Sequence, residues 1–212
     1  MSELDDDPRF LAARAAFAAH HADDPRTIER DGVTTTVSLD YHARVESWLV
    51  RLEPAAALPV RLAALAQHVR RWEVPRASAP AGLAGYKRWR SELARRQADI
   101  AEAELVRVGY DDATAQRVAD ILVKKHLRSD PDVQLLEDAV CLRFLEDELG
   151  PFAEGRADED VVAIIRKTWA KMSARGHAAA LALAPTLPPR AAALVTLALT
   201  PPAGAPDSRT RD

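Results

Sequence analysis

Three side chains able to carry acid–base or metal chemistry fall on faces that read as apolar. Leu135, Asp138, Leu142, Leu145 and Leu149 recur every third or fourth residue, the spacing of one helix face, with Asp138 inside the stripe. Val133, Leu136, Val140 and Phe144 form a neighbouring stripe, which makes this helix central and Asp138 buried. An unpaired carboxylate in such a place costs several kcal/mol, or its pKa rises by roughly 3–5 units. It needs a partner: a cation, a metal ion or a histidine. His42 lies on a second apolar face with Val45, Leu49 and Leu52. His68 flanks a third, made of Leu58, Leu62, Leu65, Val69 and Trp72, and His126 ends the segment before the central helix. Two imidazoles and a carboxylate suit a divalent Mn, Fe, Co or Zn ion, so His42, His68, His126 and Asp138 are the candidate metal ligands. A metal-free hydrogen-bonded network around Asp138, with Arg71, is the competing expectation.

Charge points to an anionic ligand. The chain carries a net charge of −3, yet Arg61 to Arg96 holds nine Lys or Arg residues against only Glu73 and Glu92. Such a local excess attracts anions. Arg70, Arg71, Lys87 and Arg90 are the candidate substrate-binding residues, and His68, Asp138 and Glu73 the candidate catalytic ones. In Gly85-Tyr86-Lys87-Arg88-Trp89-Arg90, Lys87 and Arg90 share a face, with Tyr86 and Trp89 on the adjacent one and expected in the core. The single cysteine, Cys141, excludes an internal disulfide framework and a thiolate zinc cluster; inside the central helix it reads as a small buried residue.

The elements that must position these residues are helical. Expected helices cover 8–22, about 40–52, 57–72, from about 85 to 108, 112–126, 131–149, 158–173, a short segment after Gly176, and 188–199, with a short extended stretch near 30–37. Asp111 or Asp112 and Asp130 are expected N-caps, Pro131 a first-turn residue, and Gly109 and Gly150-Pro151 stops. The expectation is an all-α, single-domain helical bundle over 1–199 with a disordered tail at 200–212. At 212 residues, with 48% apolar and 29% charged residues, the composition is that of a globular domain. No apolar run approaches the roughly 20 residues of a membrane span, and the acidic start MSELDDDPRF lacks a signal-peptide core. A cytoplasmic protein is expected, off the membrane, with a homo-oligomer left open. Walker A, GxGxxG, GxSxG and HExxH patterns are absent.

The order His42-Ala43-Arg44-Val45, LAALAQHV (62–69), ILVKKH (121–126) and LLEDAVCL (135–142) resembles the helical HD-domain metallophosphohydrolases. Their His-Asp dyad falls here on Gln67-His68, which departs from the pattern and puts a conventional HD centre in doubt. A resemblance over nearly the whole chain rests on AQHVRRWEVPR (66–76), GYKRWR (85–90), SDPDVQLLEDAVCLRFLE (129–146) and IRKTWAKMSARGHAAALAL (165–183). These blocks resemble the bacterial and fungal family catalogued as domain of unknown function 4202. The resemblance implies a helical protein and directs attention to His68, Arg70 to Glu73, Lys87, Arg90, Glu137, Asp138, Lys167 and His177; histidine at 42 is not among its requirements. Lys171-Met172-Ser173-Ala174-Arg175 is similar to the KMSKS loop of class I aminoacyl-tRNA synthetases, but no HIGH-like tetrapeptide accompanies it, which argues against that activity.

Two readings of function follow. One is metal-dependent hydrolysis of a phosphorylated or otherwise anionic small molecule. The other is a non-catalytic module that recognises a nucleotide, nucleic acid or acidic partner through the basic 61–96 segment. Acidic net charge argues against nucleic acid.

Overall fold

In a computed structural model the described residues are 3–30 and 32–200, and they form an all-α fold with one small antiparallel hairpin. The tail expected beyond Thr200 lies outside them. By internal contacts the chain divides into two compact units, through Val140 and from Cys141.

The first unit opens with α1 (Pro8–Ala22), whose start is set by Asp7: its carboxylate accepts from Arg9 N at 2.8 Å and Phe10 N at 3.0 Å. The hairpin pairs β1 (Thr27–Arg30) with β2 (Val33–Thr36), Thr27 opposite Thr36 and Arg30 opposite Val33. Thr36 then caps α2 (Val37–Leu52), so this helix begins a turn earlier than Asp40. Arg30 holds Asp40 through two bonds, 2.7 and 3.1 Å, and so ties the hairpin to α2. Next come α3 (Leu58–Ala66), α4 (Gly82–Arg107), α5 (Asp112–Leu122) and α6 (Pro131–Arg143). Helix α3 packs against α1, α2 and α5, and α4 against α5. Phe10, Phe17, Val45, Leu49, Val60, Leu62, Leu105 and Ile121 fill this core.

Two helices stop short of their expected ends for a shared reason. The helix expected over 57–72 ends at Ala66, and residues 66–69 make a type II turn: Gln67 has φ −53° and ψ 125°, His68 φ 62°, and Val69 N donates to Ala66 O at 3.0 Å. The helix expected to reach 126 ends at Leu122 because Lys124 turns left-handed at φ 61°. Apolar periodicity runs on past both breaks, since residues in a turn can still point inward. Asp130 and Pro131 open α6 as expected, with Asp130 Oδ1 accepting from Asp132 N at 3.0 Å. Arg117 donates to both oxygens of that aspartate, at 2.5 and 2.9 Å.

The second unit begins inside α6, at Cys141, and the central helix does not stop at Gly150-Pro151. It widens into a π turn at Phe144–Glu148, where Leu149 N donates to Phe144 O, and continues as α7 (Leu149–Ala153). The i→i−5 register just ahead of Pro151 accommodates a residue that has no N–H to give. Helices α8 (Asp158–Trp169), α9 (Ala174–Leu183) and α10 (Pro189–Leu199) complete the unit. Gly176 lies within α9 rather than before it, because Ser173 is the N-cap, its Oγ accepting from Gly176 N at 3.2 Å. Ser173 and the buried Met172 thus have structural work. His177 stacks on Trp169 with ring centroids 3.7 Å apart.

Candidate functional site: a cationic pocket in the first unit

The turn after α3, the middle of α4 and the end of α5 enclose a small pocket of about 30 Å³. Each element delivers its side chain by local rules. The type II turn projects His68, and a second turn, closed by Arg71 N donating to His68 O at 3.0 Å, projects Arg71. On α4, Arg90, Ala94 and Gln97 follow one another at helical spacing and line one wall. Lys124 stands just past α5, where Lys124 N donates to Ile121 O and Lys125 N to Asp120 O, each at 3.0 Å. That is a Schellman motif with lysine in the left-handed position. Helix α4 ends in the same motif with Gly109 there, at φ 95°. A left-handed conformation costs an L-residue roughly 1–2 kcal/mol. His68 and Lys124 both line the pocket and both bear that strain, as do Arg70 at φ 51° and His126 at φ 59°.

Three cations, Arg71, Arg90 and Lys124, face the space, and no carboxylate lines it. His68 is the exception to their charge. Burial first, and then the positive charges of Arg71, His42, Lys124 and Arg90, hold its pKa well below the ordinary value, so the imidazole is neutral at pH 7. Arg71 Nη1 lies 3.3 Å from His68 Nε2. Arginine can only donate, which makes Nε2 the acceptor and leaves the ring proton on Nδ1. Tyr41 packs against the ring at 5.0 Å between centroids. Lys124 also pairs with Glu137, a carboxylate only 4% exposed. The side chain of Gln97 is 6% exposed, and its Nε2 has no hydrogen-bond partner among the described residues.

The model of the family described as domain of unknown function (DUF4202) matches residues 11–195. The chain belongs to the DUF4202 family. No curated protein and no solved structure matches this DUF4202 chain.

The other candidate residues are dispersed. Asp138 is buried as expected, 1% exposed, and accepts from Gln134 Nε2 at 3.0 Å, but it is not among the residues lining the pocket. His42 is buried beneath the pocket-forming turn. Its Nδ1 lies 2.6 Å from Ser38 O and its Nε2 bonds Gln67 O, so both ring nitrogens face carbonyl oxygens rather than a metal site. His126 is exposed. The four candidate ligands therefore do not assemble, and among the described residues no group of three His, Cys, Asp or Glu side chains is placed to hold a metal ion. Glu73 is exposed and bonded to Arg96 at 2.5 Å. Arg70 points away from the pocket, donating to His20 Nδ1 at 3.1 Å, while His20 Nε2 meets Glu104 at 3.0 Å. Lys87 is exposed one turn beyond Arg90. Trp89 is in the core, giving Nε1–H to Val74 O at 3.2 Å, whereas Tyr86 is at the surface. Arg61 is consumed by Asp5 and Glu46, at 2.7 and 3.3 Å.

Sequence reasoning missed Lys124, Gln97 and His21. His21 stacks on His42 at 3.4 Å between centroids, its pKa lowered to about 4 by burial. A cue for Lys124 existed in its position just past an amphipathic stretch. For Gln97 nothing set it apart from other glutamines.

Proposed function

We propose that this DUF4202 protein binds a small oxyanion, a phosphate or a phosphorylated metabolite, in the His68–Lys124 pocket without a metal ion. Gln97 carries the reading. An unsatisfied buried donor costs about 1–3 kcal/mol, and this one faces the same space as three guanidinium or ammonium groups, of which Lys124 is paired with Glu137, a residue outside the lining. A bound anion accepts from Gln97 Nε2 and lies in the positive potential of these cations. The small volume excludes a whole nucleotide from the interior, so any larger ligand enters by its charged end. Hydrolysis at a metal held by His42, His68, His126 and Asp138 finds no support in the placement of those residues.

Isothermal titration with inorganic phosphate at low salt tests the reading. Arg71→Ala should weaken binding by about 10- to 100-fold, the effect of one charge-assisted hydrogen bond. Gln97→Leu separates binding from packing: affinity should fall several-fold while the unfolding midpoint holds or rises, because an unsatisfied polar group has been removed. Phosphate affinity unchanged in both variants would sink the proposal. Affinity only for nucleic acid, falling steeply with salt, would favour the non-catalytic binding module that uses the basic 61–96 segment instead.

A further inference from the structure

Within the pocket, His68 is the one lining side chain with a basic nitrogen lone pair at neutral pH. The other polar groups there are cations and amides. Its lone pair is on Nε2, because the neighbouring Arg71 Nη1 at 3.3 Å can only donate. Backbone strain at φ 62° and the Tyr41 ring, 5.0 Å away, fix the direction of the imidazole. Strained residues of this kind cluster where geometry must be held for chemistry. A phosphoryl group drawn in by Arg71, Arg90 and Lys124 would have its oxygens on cations and its phosphorus toward a neutral ring nitrogen. Phosphoryl transfer asks for little more than that alignment and charge stabilisation.

We propose that His68 is a phosphoryl acceptor: its Nε2 lone pair attacks the phosphorus of a small acyl phosphate to give phosphohistidine. The inference rests on the anion-pocket reading. The Nε2–P bond forms as the P–O bond to the acyl group breaks, and the acyl group leaves as a carboxylate with the bonding electron pair. The ring then loses its Nδ1 proton to water. Arg71 passes its hydrogen bond from Nε2 to a phosphoryl oxygen, which frees the nucleophile as charge develops beside the guanidinium. No redox partner is needed. A neutral imidazole is the form required, and burial among cations keeps it so.

The test uses the full chain with acetyl phosphate, read by intact mass at neutral pH, peptide mapping and phosphorus NMR. One phosphoryl increment, stable to alkali, labile to acid and mapping to His68, is expected. It should be absent in His68→Gln, and Arg71→Ala should form it about 10²-fold more slowly. Circular dichroism of both variants reports folding, and the wild-type mapping decides the matter even if a variant fails to fold. Phosphate binding without any adduct overturns this inference and leaves the anion pocket standing. Neither binding nor adduct overturns both. An adduct mapping to any other residue also overturns it.

Discussion

Replacing Lys124 with glycine and, separately, with alanine isolates the strain stored at the pocket. Both substitutions remove the same ammonium from Glu137, so the lost ion pair cancels in the comparison. What remains is the backbone: Lys124 sits at φ 61°, in the Schellman position that Gly109 fills at the end of α4. Alanine retains the left-handed penalty of about 1–2 kcal/mol. Glycine escapes it but gives back about 0.4–1 kcal/mol through the freer unfolded chain. Lys124→Gly should therefore be more stable than Lys124→Ala by about 0.5–1 kcal/mol, about 1–4 °C in a chain of this size. Urea unfolding followed by far-ultraviolet circular dichroism measures this, with equal slopes required before midpoints are compared. Gly109→Ala provides the mirror image and should lose stability by a similar amount or more. Alanine matching or exceeding glycine at position 124 would refute the argument, since no left-handed strain would then be held there.

Two further outcomes test the frame around the pocket. Gly85→Ala should destabilise by about 1–3 kcal/mol, because the new Cβ would lie 2.2 Å from Pro80 O and backbone must move; a melting temperature equal to wild type would contradict the close approach of α4 to the preceding loop. For His21, whose folded pKa is near 4 against 6.5 unfolded, the unfolded chain binds the extra proton between those values. Stability is then complete above about pH 6.5 and falls as pH drops toward 4, by about 3 kcal/mol. His21→Phe should flatten that part of the curve, and an unchanged loss between pH 7 and 4.5 would assign it to other groups.

Helices and caps were legible along the chain. Asp111 and Asp130 accept the bonds that their spacing ahead of apolar runs announces, and the burial of Asp138 follows from the stripe it interrupts. These are local facts: hydrogen bonds reach three or four residues, and periodicity records which face is turned inward. Family membership was legible too, in blocks spread from residue 66 to 183. Convergence was not. His42, His68 and Asp138 each read as inward-facing, yet an inward face does not say which other inward face it meets. Helix packing turned His42 onto backbone carbonyls and brought Lys124, Arg71 and Gln97 together across 54 positions of chain. Nor did composition announce the left-handed turns, since glycine ordinarily marks them and here histidine, arginine and lysine hold the places. Secondary structure and burial are set by neighbours in sequence and were decided there; the pocket is set by neighbours in space, and only the tertiary structure supplied them.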